Sequence, residues 1–323
     1  MPIRTLSRPY RLGTRRSPLA LAQAEEARAR LIAALGLDAG DIALVPVIAS
    51  GDKVLDRPLA EIGGKALWTK ELDAWLLAGE IDFAVHSAKD VETLRPAELT
   101  FAAVLPREDV RDVLILRQAQ DERKGVSAIA ALPEGARVGT SAPRRAAQLL
   151  NVRPDCRIVP FRGNVATRLA RLASGEADAT LLAAAGLNRL GLQGKGAALS
   201  ANEWLPAPGQ GAIAIECRAD DQAMRDALAA IDHGPSRAAV LAERGLLAGL
   251  GGNCHSPIAV LTRAEGGLLV LRAALFSPDG AHRCDGEARF AAGDPSGPAD
   301  LARDLLARAP APIKAHFAGP AAG

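Results

Sequence analysis

Two segments of the chain share a pattern that predicts a repeated α/β unit. Residues 12–18 (LGTRRSP) and 138–145 (VGTSAPRR) each predict a strand that stops at Gly-Thr, followed by Ser, Pro, Arg and a helical pattern. Ser or Thr can cap such a helix, and Pro is tolerated at its first position. Downstream, residues 76–83 (LLAGEIDF) match residues 172–179 (LASGEADA), each predicting a helix end, a Gly turn and a strand. We therefore expect two similar α/β domains whose strand ends face one cleft.

The remaining segments predict linkers and a third region. Residues 205–211 (LPAPGQG) form a Pro/Gly-rich link into a strand at 212–216, and the polar stretch 117–125 predicts an exposed loop without a role. Further on, the pattern predicts helices at 222–231 and 236–250, hairpin strands at 258–263 and 268–276, and a last helix near 299–308. We expect the Ala-, Gly- and Pro-rich tail after Ala309 to be frayed.

Composition narrows the functional classes. A chain of 323 residues is long enough for two or three domains, and its net charge of +2 implies neither a nucleic-acid binder nor a membrane-surface protein. The longest apolar runs, 42–49 and 181–185, are far too short to span a bilayer. The four cysteines contain no C-x-x-C pair, which argues against a zinc site or a redox dithiol, and no secretory leader is evident. We therefore expect a cytoplasmic protein.

Arginine dominates the cations and clusters at predicted strand ends and helix starts. Only 7 of the 39 basic residues are lysines. Codon bias explains most of this excess of Arg, but it does not explain why the arginines cluster. Arg binds carboxylates and phosphates with two parallel hydrogen bonds, so we expect a ligand with several such groups. For any single Arg, a solvated basic face is the alternative. The clustered residues are Arg15, Arg16, Arg144, Arg145, Arg162, Arg168 and Arg189.

A candidate acid follows a short apolar strand. Residues 82–90 (DFAVHSAKD) predict a short apolar strand that ends in His, Ser, Lys and Asp. Strand ends of this kind are where α/β proteins bind ligands. An ordinary surface pair between Lys89 and Asp90 is the alternative. A carboxylate among arginines stays ionised, so Asp90 could stabilise a cationic intermediate and transfer a proton. These tasks belong together in chemistry that expels ammonia or water to form a carbocation.

Two Gly-rich turns complete the candidates. Residues 250–257 (LGGNCHSP) present Cys254 on a loop, which makes this thiol the best nucleophile or attachment point. A loop Cys without a role, and a Cys–His protease using His255, are the alternatives. The turn at 63–65 (GGK) lacks the full phosphate-loop pattern, so a mobile basic loop carrying Lys65 is the better interpretation.

Together these motifs resemble the porphobilinogen deaminase family, also called hydroxymethylbilane synthase, from about residue 12 to residue 257. The resemblance is carried, in chain order, by GTRRSPLAL (13–21), GGK (63–65), VHSAKD (85–90), REDVRD (107–112), GTS (139–141), RR (144–145), RGNV (162–165), LP (205–206), GQG (209–211) and Cys254.

The resemblance implies an activity and a fold. The family joins four porphobilinogen molecules head to tail with release of ammonia, and hydrolysis then frees hydroxymethylbilane for tetrapyrrole (porphyrin and heme) biosynthesis. The implied fold class is α/β, with two periplasmic-binding-protein-like domains around a cleft plus a smaller C-terminal α+β domain. The corresponding boundaries are 1–105 with 207–230, then 106–206, then 231–323.

The resemblance also implies roles for individual residues. The catalytic aspartate falls on Asp90, which would help ammonia leave, stabilise the azafulvene cation and manage the pyrrole proton. A dipyrromethane cofactor, built by the enzyme from substrate, would be held by a thioether to Cys254. The implied cofactor-binding residues are Ser17, Ser87, Lys89, Asp90, Thr140, Arg144, Arg145 and Arg162. The implied substrate-binding residues are Arg15, Arg162, Arg168, Arg189, Lys65 and Trp68.

Some positions depart from the family pattern. Trp68 stands where Phe is common, Ala88 replaces a larger apolar residue, and Ala142 with Pro143 replaces Ser-Leu. Asn253 stands where Gly is usual before the Cys, and Asn tolerates left-handed backbone better than most residues. The catalytic carboxylate and the attachment thiol are both retained.

The main alternative is a non-catalytic two-lobed binding protein for a polycarboxylate ligand. Such a protein would not need Asp90 or Cys254, and no helix-turn-helix precedes the lobes as in transcription regulators. A degenerate deaminase with a regulatory role is disfavoured by the same two residues. We expect an enzyme that works as a monomer without metal, nucleic acid or membrane, and whose product passes to uroporphyrinogen-III synthase.

Overall fold

The chain divides into two compact units. The computed structural model describes residues 8–47, 67–117 and 126–320. Unit 1 combines Met1–Arg107 with Ala212–Arg237, and unit 2 combines Glu108–Gly211 with Ala238–Gly323. The three-domain boundaries expected from the sequence stay a prediction.

Strands and helices alternate through most of the described chain. The strands are β1 (Tyr10–Arg15), β2 (Ile42–Val47), β3 (Phe83–Ser87), β4 (Leu99–Val104), β5 (Asp112–Leu116), β6 (Arg137–Gly139), β7 (Arg157–Val159), β8 (Ala179–Ala183), β9 (Ala197–Ala198), β10 (Ile213–Arg218), β11 (Ile258–Glu265), β12 (Leu268–Phe276) and β13 (Arg283–Phe290). The helices are α1 (Pro18–Leu35), α2 (Leu67–Leu77), α3 (Val126–Ala130), α4 (Pro143–Val152), α5 (Val165–Ala173), α6 (Ala184–Arg189), α7 (Gln222–Ala229), α8 (Gly234–Gly249), α9 (Ser296–Arg308) and α10 (Ala311–Lys314).

Each unit contains a five-stranded mixed sheet with the same topology. The order is β2-β1-β3-β10-β4 in unit 1 and β7-β6-β8-β5-β9 in unit 2. In each sheet the first three strands run parallel, and the fourth runs antiparallel to both of its neighbours. Leu12 and Phe83 fill the core of the first sheet, and Val138 and Ala179 occupy the matching places in the second. The repeat predicted from the sequence is confirmed.

The two units also repeat an ion pair at the start of their central strands. In unit 1, Asp82 accepts hydrogen bonds from the backbone N–H of Arg11 at 2.7 Å and from its guanidinium Nη2 at 3.0 Å. In unit 2, Asp178 accepts from the backbone N–H of Arg137 at 2.9 Å and from its Nη2 at 2.8 Å. Burial alone would raise the pKa of Asp82, but the bonds from Arg8 and Arg11 outweigh it and hold that pKa below its usual value.

Local sequence explains helix α1. The hydroxyl of Ser17 accepts a hydrogen bond from the N–H of Ala20 at 3.3 Å, and Pro18 is the first helical residue. The helix ends at Gly36, whose φ of 65° lies in the left-handed region that glycine tolerates. The capping expected from the sequence is confirmed here.

Helix α4 differs from this pattern. Pro143 is its first residue, as expected, but the capping position is Ala142, which has no side-chain acceptor. Thr140 instead uses its hydroxyl to accept from the N–H of Ala142 at 3.2 Å, ahead of the helix. The expectation of a Ser or Thr cap is therefore wrong for this helix.

The C-terminal region is a smaller α+β layer within unit 2. Strands β11, β12 and β13 form an antiparallel sheet, and α9 packs on it through Leu301 and Leu305. The prediction of a frayed tail after Ala309 is wrong for residues up to 320. Ile313 and Phe317 are buried in the same core, because their apolar side chains gain from leaving water.

These observations confirm the predicted fold class. The described chain has two five-stranded mixed sheets with helices between their strands, and a smaller C-terminal sheet with its own helices. Across the ranges described, we find no helix with the length and apolar character needed to cross a membrane.

The close packing of Gly139 gives a stability prediction. A Cβ added there would overlap Cδ2 of the fully buried Phe161 ring, so Gly139→Ala overpacks the core of unit 2. We expect it to lower the free energy of unfolding by about 1–3 kcal/mol, measured by urea denaturation. Gly40→Ala is the control, because no atom lies within 4 Å of its added Cβ. Equal midpoints for the two variants would contradict the prediction.

Candidate active site

A pocket opens in unit 1 where strands β1 and β3 end. The carboxyl ends of these neighbouring parallel strands lie at one edge of the sheet, so the residues that follow them meet. The start of α1 completes the wall. The polar residues lining the pocket are Arg15, Ser17, Gln23, Thr69, His86, Ser87 and Asp90.

Asp90 lies at the mouth of this pocket. It ends a single 3₁₀ turn, Ala88–Asp90, directly after β3, and its side chain is exposed. The turn is anchored because the N–H of Ala88 donates to the backbone oxygen of Ala212 on the neighbouring segment at 3.0 Å. Lys89 is half-buried on the same turn. The predicted strand followed by a polar turn is present.

Gln23 is a pocket residue that the sequence analysis missed. It is 4% exposed, and its side-chain amide approaches the hydroxyl of Ser87 through Nε2 at 2.8 Å and Oε1 at 3.0 Å. Its spacing along α1 could have indicated that it is buried, because Gln23, Ala27 and Leu31 lie one turn apart on the buried stripe of this helix. A polar residue on such a stripe needs a partner, and here that partner is the predicted site residue Ser87.

A buried ionic cluster behind the pocket was also missed. Arg95 donates to Asp73 of α2 at 3.0 Å and to both oxygens of Glu216 on β10 at 2.9 Å. Burial would lower the pKa of Arg95, but the bonds to Asp73 and Glu216 outweigh it and raise that pKa. His86 lies against the same cluster, with Nε2 at 3.2 Å from Oε2 of Glu216.

In unit 2, Arg144 and Arg145 form a buried cluster around Asp112. Their Nη2 atoms lie 2.8 and 2.7 Å from the two oxygens of the Asp112 carboxylate. Trp204 and Gln210 donate to the same carboxylate, each at 2.9 Å. Both arginines are about 95% buried, so the alternative of a solvated basic face is wrong for them. Burial would raise the pKa of Asp112, but the two guanidinium groups hold it well below its usual value.

This cluster carries an excess positive charge. Two guanidinium groups and one carboxylate sum to +1, and the Nε atoms of Arg144 and Arg145 are buried without a hydrogen-bond partner in the described structure. The hydroxyl of Ser141, at the start of the same helix, is likewise buried without a partner among the described residues. Thr140 is also buried, and its N–H donates to the backbone oxygen of Val159 at 2.9 Å.

The other predicted arginines of unit 2 are more accessible. Arg162 is exposed, and the turn that follows it requires Gly163, whose φ is 95° and whose added Cβ would meet Thr167. Arg168 is half-buried on α5 and its Nε donates to the backbone oxygen of Gly163 at 3.0 Å. Arg189 is half-buried at the end of α6 and donates to the backbone oxygen of Gly211 at 3.2 Å.

The loop that carries Cys254 is fixed by its own hydrogen bonds. Gly251, with φ of 64°, passes so close to the backbone of Gly319 that a Cβ would overlap it. The side chain of Asn253 accepts from the N–H of His255 at 2.8 Å, and the N–H of Asn253 donates to the Ser256 hydroxyl at 2.9 Å. Asn253, which stands where Gly is usual in the family pattern, thus supplies a turn-forming side chain that Gly lacks.

Cys254 differs from the other cysteines in accessibility. All four lie in the described ranges and form no disulfide there, but Cys156, Cys217 and Cys284 are buried whereas Cys254 is half-exposed. Burial raises the pKa of Cys217 to about 11, and it also raises those of Cys156 and Cys284. A reactive thiol needs access and a thiolate, which the three buried residues lack.

The predicted site residues therefore fall into two groups. Unit 1 holds Arg15, Ser17, Ser87, Lys89 and Asp90, and all of these except Lys89 line one pocket at the ends of β1 and β3. Lys65 and the side chain of Trp68 lie outside the described residues. In the part of the chain that is described, no group of three His, Cys, Asp or Glu side chains could hold a metal ion. Unit 2 holds Thr140, Arg144, Arg145, Arg162, Arg168, Arg189 and Cys254.

The Asp112 cluster yields a stability prediction. Asp112→Asn leaves two buried guanidinium groups uncompensated, so we expect a loss of about 3–5 kcal/mol in the free energy of unfolding. Because the folded pKa of Asp112 is depressed, its contribution is present above about pH 4 and is lost as the pH falls further. Urea denaturation at pH 7 and pH 3.5 should show the gap to the unmodified protein narrowing in acid.

The control for this prediction is an exposed ion pair. Asp300 and Arg303 pair on the surface of α9, with side chains 61% and 76% exposed. Asp300→Asn should change stability by about 0.5 kcal/mol or less. Similar losses for Asp112→Asn and Asp300→Asn would show that the buried cluster does not stabilise unit 2.

Comparisons with known proteins match nearly the whole chain. Residues 10–226 match the family model described as "Porphobilinogen deaminase, dipyromethane cofactor binding domain", and residues 237–308 match "Porphobilinogen deaminase, C-terminal domain". A porphobilinogen deaminase from Sphingopyxis alaskensis is 55% identical over 97% of this chain and 98% of that protein. One from Paracoccus denitrificans is 50% identical over 94% and 95%, respectively.

A solved structure gives a weaker match. The VFT2 domain of BvgS from Bordetella pertussis is similar with a TM-score of 0.38 and 21% identity, covering 69% of this chain and 85% of that domain. The sequence relatives, in contrast, share about half of their residues with this chain from end to end. The chain belongs to the porphobilinogen deaminase family.

Proposed function

We propose that this protein is a porphobilinogen deaminase, the transferase also called hydroxymethylbilane synthase. It joins four porphobilinogen molecules head to tail on a dipyrromethane primer, releases ammonia at each step, and yields hydroxymethylbilane after hydrolysis. The observation that carries this conclusion is the 55% identity to a porphobilinogen deaminase over 97% of the chain. The alternative, a non-catalytic binding protein for a polycarboxylate, gains no support from the relatives.

The residues of the β6–α4 junction fit a polycarboxylate cofactor. A dipyrromethane carries acetate and propionate groups, and the buried charge of +1 around Asp112 together with the unpartnered Ser141 hydroxyl suits a carboxylate ligand. When bound, the primer supplies the pyrrole carbon to which substrate is joined. The residues that would hold it are Ser17, Ser87, Lys89, Asp90, Thr140, Arg144, Arg145 and Arg162, with Cys254 forming the thioether.

Asp90 is the catalytic carboxylate in this proposal. Its exposed side chain at the pocket mouth is free to approach the aminomethyl group of a bound porphobilinogen. As that group leaves as ammonia, positive charge develops on the substrate, and a nearby carboxylate lowers its energy. The same carboxylate can accept the proton that the pyrrole ring gives up after carbon–carbon bond formation.

Accessible arginines would bind the substrate carboxylates. Arg15 lines the pocket with Asp90, and Arg162, Arg168 and Arg189 keep exposed or half-exposed side chains. Guanidinium groups bind carboxylates with paired hydrogen bonds, so they position a substrate that brings an acetate and a propionate. Lys65 and Trp68 complete the proposed substrate-binding set.

Cys254 is the proposed attachment point for the primer. Among the four thiols it alone avoids burial, and its loop is held by Gly251 and Asn253 at a fixed place after α8. The proposal also places the protein in the cytoplasm, because four cysteines without a disulfide in the described structure, one of them accessible, suit a reducing compartment. We further propose that it acts as a monomer and passes its product to uroporphyrinogen-III synthase.

Removal of the thiol should abolish cofactor attachment. In Cys254→Ser the sulfur that forms the thioether is absent, so the intact mass of the purified protein should lack two deaminated porphobilinogen units. Cys156→Ala is the control and should keep the added mass, because Cys156 is buried in the core of unit 2. Normal adduct on Cys254→Ser would move the attachment elsewhere.

Removal of the Asp90 charge should abolish most turnover. Asp90→Asn keeps the size of the side chain but cannot stabilise a cation or accept a proton, so we expect kcat to fall by about 10²–10⁴-fold. Glu98→Gln, an exposed carboxyl of the same unit outside the pocket, should leave kcat unchanged. The rate of hydroxymethylbilane formation measures both, with a thermal melt to confirm folding. Full activity of Asp90→Asn would refute the assignment.

A further inference from the structure

Arg95 stands between two buried carboxylates directly behind the proposed catalytic pocket. Its guanidinium group donates to Asp73 on α2 and to both oxygens of Glu216 on β10, and Glu216 is fully buried. Glu92 also lies 3.7 Å from Nη1 of Arg95, so one cation faces three carboxylates and the formal charges sum to −2. Both carboxylate oxygens of Glu216 are engaged by the Arg95 guanidinium.

His86 also lies beside the Glu216 carboxylate. Its Nε2 lies 3.2 Å from Oε2 of Glu216, the same oxygen that accepts from Nη2 of Arg95 at 2.9 Å. Despite the short distance, Nε2 of His86 makes no hydrogen bond within the described structure. A carboxylate this close to an imidazole would ordinarily favour its protonation, but here both carboxylate oxygens are oriented toward the guanidinium.

Four charged groups besides Glu216 act on the protonation of His86. Arg95 and Arg15 on β1 disfavour an imidazolium, whereas Asp73 and Asp90 favour one. Burial has the largest effect, because His86 is 7% exposed and a charged ring there would lose its hydration. With these effects combined, the pKa of His86 falls to about 4, so the ring is neutral at neutral pH.

The neutral ring matters because His86 lines the pocket that also contains Asp90. An imidazolium there would repel the positive charge that develops on the substrate as ammonia leaves. It would also compete with the substrate for the Asp90 carboxylate. Both effects would slow the reaction without any change in the fold.

We propose that Arg95 is a positioning residue that engages Glu216 so that His86 stays uncharged beside Asp90 during turnover. The proposal rests on the proposed function only for its consequence on rate. The coupling between Arg95, Glu216 and the charge of His86 is a property of unit 1 whatever the reaction.

The first test is an NMR titration of His86 in the holoenzyme, with the signal assigned by its loss in His86→Gln. In the unmodified protein we expect a pKa near 4. In Arg95→Leu, Glu216 becomes available to the ring, and the pKa should rise by about 1–3 units. Arg95→Lys keeps a cation but loses the two-pronged contact, and should give an intermediate rise.

These titrations remain decisive if Arg95→Leu fails to fold. A pKa above 6 for His86 in the unmodified protein overturns the proposal. If Arg95→Leu is unstable, an unchanged pKa of His86 in Arg95→Lys overturns it as well. An unchanged pKa in folded Arg95→Leu overturns it directly.

The second test is the pH profile of kcat. The profile is measured from pH 4.5 to 8, because a rise of about 1–3 units from about 4 places the pKa of His86 in Arg95→Leu between about 5 and 7. The unmodified enzyme should show little loss from His86 over this range, whereas kcat of Arg95→Leu should fall about tenfold for each pH unit below the raised pKa of His86. The double variant Arg95→Leu/His86→Gln cannot protonate at this position and should regain a flat profile. A merely structural role for Arg95 would lower kcat equally at all pH values and would leave the double variant no better.

The two tests separate two kinds of failure. A raised His86 pKa with a flat kcat profile would leave the electrostatic coupling intact and overturn its proposed effect on turnover. Loss of the Asp90 assignment, judged by Asp90→Asn and Glu98→Gln, would leave the NMR result unaffected.

Discussion

The carboxylate of Asp112 is the constraint on which unit 2 depends. It accepts from two guanidinium groups on α4, from the indole of Trp204 and from the amide of Gln210, so one side chain ties separate segments to strand β5. A charge buried this deeply is tolerated only when its partners are fixed. The same contacts therefore hold Arg144 and Arg145 in place, and the excess positive charge that results is what suits the site to an acidic ligand.

Unit 1 also contains a buried carboxylate on a central strand, and a different arginine pairs with it. Strands β10 and β5 occupy the same place in the two sheets, each antiparallel to its neighbours, and each carries a buried carboxylate. Glu216 on β10 is paired with Arg95, whereas Asp112 on β5 is paired with the two α4 arginines. In each unit a buried ionic cluster thus borders or includes the proposed site residues. It fixes the backbone position and sets the local charge.

Local patterns in the sequence were enough to predict helix α1, the strand and turn that carry Asp90, and the Gly-rich loop of Cys254. Each depends on residues within a few positions, such as the Ser17 cap. The ionic clusters could not be predicted in this way, because Arg95 and Glu216 are 121 positions apart and Trp204 and Asp112 are 92 apart. The buried tail escaped prediction for a related reason, since its Ala/Gly/Pro composition hid the two side chains, Ile313 and Phe317, that complete the C-terminal core.

The strand pairing shows at which positions the two repeated units differ around the proposed site. Gly13 pairs with Ala84 and Gly139 with Thr180, so Asp90, six residues after Ala84, corresponds to Gly186, six residues after Thr180. The same offset matches His86 with Leu182 and Ser87 with Ala183, both without ionisable groups. Unit 2 therefore has no carboxylate or imidazole at these positions, while its helix α4 contributes the guanidinium groups instead. In the proposed mechanism the proton chemistry therefore belongs to unit 1, where Arg95 engages Glu216 beside the pocket.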